Sequence, residues 1–217
     1  MSHPTQPLQI AVVPVTPFQQ NCSILWCTRT MKAAVVDPGG DVDRIQSAVK
    51  ETGVQVEKIL LTHGHLDHAG GAAELAELLG VPVEGPTAAD QFLMDTLDAD
   101  WARYGVEGAR PVKPDLYLAE GESVRIGELE LDILHVPGHT PGHLVYVHKP
   151  ANVALVGDTL FRGSVGRTDF PYGNHEQLIT GIREKLLPLG DSMVCLSGHG
   201  PLTSIGDERA SNPFLQD

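Results

Sequence analysis

Cysteine is scarce in this chain, basic residues are outnumbered, and no long apolar run occurs. The three cysteines of the 217 residues are Cys22, Cys27 and Cys195. An odd number without framework spacing argues against a disulfide scaffold and for a reducing compartment, so a cytoplasmic location is expected. Cys22 and Cys27 fit no zinc-finger spacing, and Cys195, inside the apolar run Met193–Leu196, reads as a small buried hydrophobe. Fifteen Lys and Arg stand against 28 Asp and Glu, a formal net charge of −13. Such a chain lacks the basic face that general nucleic-acid binding needs, so no nucleic-acid partner is expected. No stretch approaches the ~18 apolar residues of a membrane span. The opening MSHPTQPLQI also lacks the cationic and apolar regions of a secretory signal, so neither a membrane partner nor export is expected.

Ordinary globular composition remains, and the length suffices for a packed core, so residues 1–217 read as a single domain. The chain opens with strand-like runs, LQIAVVPV, SILWC and AAVVDPGG, broken by Pro, Asn and Gly. Helical periodicity follows over Val42–Glu51, with Asp41 as the expected cap and Gly53 as the stop. Val56–Leu61 reads as a buried strand, and Ala72–Leu79 as a helix ended by Gly80 and Pro82. Residues 87–114 are irregular and read as a helical excursion, either one wall of a groove or ordinary core packing. Further strands are expected at Glu122–Ile126, Leu129–His135, His143–Val147, Val153–Val156 and Met193–Leu196, with a helix at His175–Leu187 closed by Pro188. Strands followed by helix–strand alternation occur in both halves, an order that two face-to-face sheets with helices outside accommodate. An internal duplication would produce the same order, although no sequence identity between the halves is visible.

What the chain does have is histidine, concentrated in LTHGHLDHAG at residues 61–70. His63 and His65, two apart in extended backbone, project to the same side and can reach one ion. Asp67 and His68 lie where the chain turns into the next helix and point elsewhere, toward a second ion. Three further strand ends carry His or Asp beside Gly: His139 in VPGHTPGH, Asp158 in LVGDTLF and His199 in CLSGHGP. Loops gather at such ends. Gly64, Gly70, Gly138, Gly157, Gly198 and Gly200 allow tight turns and close backbone approach there. Imidazole with carboxylate suits zinc, and also iron or manganese. Of the remaining histidines, His3 and His148 are expected to be exposed, and His135 to pack or make a structural hydrogen bond. His175 opens a helix, and His143 fills structure or supports a ligand from behind. Asp37 in VVDPGG reads as a turn-fixing residue, with a supporting role behind a ligand as the alternative.

T-H-G-H-L-D-H at 62–68, G-H-T at 138–140, G-D at 157–158 and G-H-G at 198–200 resemble the metallo-β-lactamase superfamily. That resemblance implies an α/β fold, an αββα sandwich of two mixed sheets with helices outside. It places His63, His65 and His139 on a first metal, and Asp67, His68 and His199 on a second, with Asp158 bridging. Two divalent ions are implied, zinc foremost. DTLFRGSVGRTDF with the HGP segment is most similar to glyoxalase II, in a short form. Longer members carry a C-terminal helical domain, which this chain is expected to lack, and an aromatic two positions after the residue matching Arg167, where Asp169 stands here. The activity implied is hydrolysis of S-D-lactoylglutathione or a related acylthiol. A cation can lower the pKa of bound water from 15.7 to about 7, and the resulting bridging hydroxide attacks the thioester carbonyl. Asp67 and Asp158 are the expected catalytic residues, Asp67 orienting the nucleophile. Arg162 and Arg167 are expected to bind substrate carboxylate, with Tyr172 and Asn174 beside them. GRTDF also resembles the persulfide dioxygenases, which use a single iron, and a non-catalytic metal-binding domain is the third reading. A small-molecule partner and a monomer or homodimer complete the expectation.

Overall fold

A computed structural model describes residues 7–104 and 109–216. The first half runs β1 (Leu8–Val15), β2 (Gln20–Cys27), β3 (Lys32–Val36), α1 (Val42–Thr52), β4 (Gln55–Leu60), α2 (Leu66–Ala69), α3 (Ala72–Leu79) and β5 (Val83–Glu84), then α4 (Gln91–Met94) and α5 (Leu97–Ala102). The second runs β6 (Ser123–Ile126), β7 (Leu129–His135), β8 (Leu144–His148), β9 (Val153–Gly157), β10 (Leu160–Phe161), β11 (Ser164–Val165), α6 (His175–Gly181), β12 (Val194–Ser197), β13 (Thr203–Ser204) and α7 (Ile205–Ser211). Strands β1 to β5 form one sheet in sequence order, and the second sheet has the order β13-β12-β9-β8-β7-β6. Both are mixed: β3–β4 and β4–β5 are parallel in the first, β9–β12 in the second, beside antiparallel neighbours. Each half thus lays down antiparallel strands and then crosses through a helix to a parallel one.

Two-residue alternation decides which face each side chain joins. In β3, Ala33 and Val35 face α1 and α3, whereas Ala34 and Val36 face the second sheet. In β8, Leu144 and Tyr146 face the first sheet, whereas Val145 and Val147 face α6 and α7. Three apolar layers result: helix against sheet, sheet against sheet, and sheet against helix. That is the expected αββα sandwich. Among the described residues, no helix is long and apolar enough to cross a membrane.

Several local expectations are corrected. Asp41 does not cap α1; it adopts a left-handed conformation and its carboxylate accepts the Thr16 N–H at 2.8 Å. The helix from His175 is regular only to Gly181, continues as a wider π-type turn over Ile182–Leu186 and tightens through Leu187–Leu189. Helix α7 was not anticipated, although Ser204 caps it by accepting the Asp207 N–H at 3.1 Å. His148 is buried, its Nδ1 2.9 Å from the Glu130 carbonyl of β7, rather than exposed. His135 does make a structural hydrogen bond, to the Pro141 carbonyl. His3 lies outside the described residues. The 87–114 stretch does both things expected of it: Met94, Leu97 and Trp101 are buried, while Phe92, Leu93 and Tyr104 line a groove.

At one edge the two sheets are tied directly. Leu144 N–H donates to Thr62 O at 2.8 Å, Asn21 N–H to Gly198 O at 2.7 Å, and the buried Tyr146 hydroxyl to Leu61 O at 2.7 Å. Replacing Tyr146 with Phe removes one of these ties and leaves a buried carbonyl short of its donor. A loss of about 1–2 kcal/mol in unfolding free energy is expected, read by urea titration.

Candidate metal centre

The seven positions singled out in the sequence converge on this edge. His63 and His65 follow β4, Asp67 and His68 sit in α2, and His139 lies in the β7–β8 loop. Asp158 follows β9 directly and His199 follows β12. Three of the four segments therefore leave the carboxyl ends of parallel-paired strands, where neighbouring loops diverge and leave a crevice.

Two clusters form. His63 Nε2 and His139 Nε2 lie 3.0 and 2.9 Å from His65 Nδ1. His199 Nε2 lies 3.0 Å from Asp67 Oδ2, and His68 Nε2 lies 4.0 Å from the same oxygen. Within each trio, the facing atoms all lie within 4.8 Å of one another. Asp158 stands between them, with Oδ2 3.6 Å from His139 Nε2 and 3.7 Å from His199 Nε2, and Oδ1 3.3 Å from His68 Nε2. Tetrahedral ligands at ~2.0–2.1 Å from an ion stand about 3.3 Å apart, so both spacings suit a cation.

The outer nitrogens decide what faces inward. His139 Nδ1 is 2.8 Å from the Arg167 carbonyl and His199 Nδ1 is 3.2 Å from the Phe18 carbonyl. Carbonyls only accept, so both Nδ1 atoms carry a proton and both Nε2 atoms point into the cluster, where each can offer its lone pair to an ion. His68 Nδ1 donates to Asp37 Oδ2 at 2.9 Å. The Thr62 hydroxyl donates to Asp37 Oδ2 at 2.6 Å and so accepts from His63 Nδ1 at 3.0 Å. Only His65 is reversed, with its Nε2 on the Tyr172 hydroxyl at 2.9 Å and its Nδ1 inward. Inward lone pairs 3 Å apart repel unless a positive charge lies between them. His68 Nε2 and Asp158 Oδ1 are moreover buried without a hydrogen-bond partner, the signature of polar atoms that await an ion. A Cβ on Gly198 would stand 2.2 Å from Asp158 Oδ1 and 2.5 Å from His68 Cε1, so only glycine admits this approach. The residues present fit two metal ions.

Asp37, His63 and His68 make a third metal-sized grouping. Asp37 already accepts the Thr62 N–H at 2.7 Å through Oδ1 and two donors through Oδ2, so it supports the ligands from behind while its positive φ makes the turn. His143, read chiefly as filler, stacks on His63 with centroids 4.7 Å apart and accepts the Asp158 N–H on Nε2 at 3.0 Å. Neither role had a signal beyond position, because each depends on a neighbour distant in sequence. Asp90 carried no motif at all.

Burial pushes His63 and His143 well below the usual imidazole range, lowers His139 and pushes His65 down to about 3. Burial also opposes charge on His68, but the carboxylates of Asp158, Asp67 and Asp37 outweigh it and raise its pKa. Burial would raise Asp158; the positive charge of His68 beside it overcomes that and holds it well below the usual carboxylate range.

A cavity of about 990 Å³ opens over both trios. Arg162, Arg167 and Tyr172 line it. The Arg162 guanidinium donates to the Leu202 carbonyl, and Arg167 pairs with Asp169 at 3.0 Å and lies over the Phe170 ring at 4.7 Å. Asn174 departs from the expectation: it does not line the cavity, and its side chain instead caps α6, accepting the Gln177 N–H at 3.0 Å where the helix expected from His175 begins.

An αββα sandwich with metal-sized His/Asp clusters on either side of one carboxylate at the strand ends is the arrangement of a metal-binding protein. The chain belongs to the metallo-beta-lactamase superfamily, whose family model matches residues 15–199. It is 44% identical over 209 residues to the hydroxyacylglutathione hydrolase GloC of Haemophilus influenzae, covering 96% of this chain and 98% of that one. Among solved structures, the BLEG-1 B3 metallo-beta-lactamase superposes with a TM-score of 0.88 at 33% identity, over 96% of this chain and 100% of that one. TTHA1623, solved in a di-iron-bound form, superposes with a TM-score of 0.84 at 33% identity, over 94% of this chain and 100% of that one.

The metal-free protein is expected to lose stability on acidification. His63, His65, His139 and His143 have lowered pKa values in the fold, so below about 6.5 the unfolded chain binds more protons there and stability falls as pH falls. His68 and His199, with raised values, act oppositely but are fewer. Melting in chelator should therefore occur at lower temperature at pH 5.5 than at pH 7.5, and the gain from added zinc should shrink over the same range as protons displace the ion.

Proposed function

We propose that this protein is a metal-dependent hydrolase that cleaves thioesters of the hydroxyacylglutathione kind, S-D-lactoylglutathione or a related acylthiol. The observation that carries the reading is Asp158 standing between two imidazole-rich trios under an open cavity. The 44% identity to a hydroxyacylglutathione hydrolase along nearly the full length supports the substrate class. His63, His65 and His139 would hold one ion, Asp67, His68 and His199 the other, and Asp158 both. Ions bound there supply Lewis acidity toward a carbonyl oxygen and an activated water.

The chain's own residues do the rest. Asp67 lines the cavity and is more exposed than Asp158, so its carboxylate accepts a hydrogen bond from the attacking water and sets its direction. Tyr172 stays protonated at neutral pH, because burial first, and then Asp90 and Asp100, push it up to about 12. Its oxygen accepts from His65, which leaves its O–H to donate to the substrate. Arg167 and Arg162 present remaining N–H groups to a carboxylate on the thiol portion. Phe92, Phe170 and Tyr172 form an apolar face, with Phe170 and Tyr172 stacked at 5.3 Å and Phe92 edge-on at 5.2 Å. A thiol of pKa about 8.5 leaves as the thiolate, so no proton donor is required at that atom.

Zinc-loaded protein is expected to hydrolyse S-D-lactoylglutathione, to lose activity in chelator and to regain it on adding metal. Asp67→Asn should lower kcat by about 100-fold or more with little change in KM. Arg167→Ala should raise KM by about 10-fold with kcat nearly unchanged. The panel should include a cephalosporin, since the BLEG-1 lactamase is a structural relative at 33% identity, and glutathione persulfide with an oxygen electrode. Faster turnover of the cephalosporin, or oxygen uptake in place of thioester cleavage, would overturn the assignment. An intact metal complement with no turnover of any of them would favour a binding domain.

A further inference from the structure

Asp90 is fully buried, and its carboxylate is held by neutral donors alone. It closes the tight turn Ala88–Asp90 that leads into α4. Its Oδ2 accepts the Gly64 N–H at 3.0 Å and the Thr140 hydroxyl at 2.7 Å, and its Oδ1 accepts the Gly142 N–H at 2.6 Å. Gly64 separates His63 from His65, and Thr140 follows His139. One carboxylate thus fastens together two loops that emerge from different sheets and carry all three imidazoles of the first trio. The sheet-to-sheet bond from Leu144 to Thr62 ends where the strands end; beyond it, Asp90 spans the gap.

We propose that Asp90 is the positioning residue that sets the spacing of the His63–His65–His139 trio, and hence the affinity of that half of the centre for its cation. The inference rests on the two-ion reading above. The neighbouring glycines are shaped to it. A Cβ on Gly142 would stand 2.7 Å from Asp90 Cγ, and one on Gly64 would stand 3.0 Å from the Asp90 carbonyl oxygen. A side chain at Gly142 would push its loop off the carboxylate, and one at Gly64 would crowd the Asp90 backbone. The second trio, Asp67, His68 and His199, is anchored elsewhere, through Asp37 and the Phe18 carbonyl. Asp90 therefore acts on one half of the centre and leaves the other alone, which separates it from a residue that merely holds the fold.

Asp90→Asn keeps the shape but puts an NH₂ where one acceptor oxygen stood, so a backbone N–H meets another donor. Zinc titration of chelator-stripped protein against a chromophoric competitor reads the result. Wild type should take up two equivalents. D90N should bind one equivalent as wild type does and the other about 10–100-fold more weakly, the range for residues that orient ligands from behind. Amide hydrogen exchange at Gly64 and Gly142, measured by NMR on metal-free protein, should accelerate in D90N while core amides of β8 stay protected. Thr140→Val removes one of the three bonds and keeps both amide contacts; a selective weakening of one equivalent by about fivefold is expected, and this carries the test if D90N does not fold. Both equivalents bound at wild-type affinity, or both weakened alike, would overturn the proposal. A wild-type protein that takes up no zinc would overturn the two-ion reading itself, and shows in the control before any variant is compared.

Discussion

Repulsion between inward-facing lone pairs is the constraint on which the rest of this structure depends. Imidazole rings and carboxylates crowded within hydrogen-bond distance would swing apart if their outer atoms were free. They cannot, because Asp37, Thr62, Tyr172 and the carbonyls of Phe18 and Arg167 take each outer N–H. The protein therefore carries a preformed field that is unfavourable in itself and favourable around positive charge. Its cost is met by the three apolar layers behind it, which hold the strand ends regardless of what the loops would prefer.

That division explains the architecture around the site. Strands end where the apolar layers end, and the functional side chains occupy the first few residues beyond. Ties such as Leu144 to Thr62 and Asn21 to Gly198 stop the sheets from splaying at this edge. Rigid scaffold and polar rim meet within a single residue, as at β9, where the buried Val156 and Gly157 are followed at once by Asp158.

How much of this could be read in the primary structure follows from which interactions are local. The ligand positions were legible because His63, His65, Asp67 and His68 share one short stretch, and His139, Asp158 and His199 each follow an apolar run ending in glycine. Strand faces were legible because alternation in β3 and β8 is a property of consecutive residues. Asp90 was not legible, since its meaning lies in amide groups at positions 64 and 142 and its own surroundings have no period. His148 was misjudged for the same reason: the carbonyl that satisfies it belongs to β7. Asn174 was legible as the cap of the helix expected from His175, since Asn is a favoured N-cap residue, whereas Asp41 was not legible as a left-handed turn, because backbone conformation there leaves little trace in residue type.

The reversed ring at His65 has a consequence of its own. Asp37 and Thr62 are sealed inside the protein, but the phenol of Tyr172 stands at the wall of the open chamber. Any visitor that engages this hydroxyl pulls on its oxygen and so alters the basicity of the ring behind it. Occupancy of the chamber is thereby felt, through one phenol and one ring, in the electron density that His65 offers at the centre.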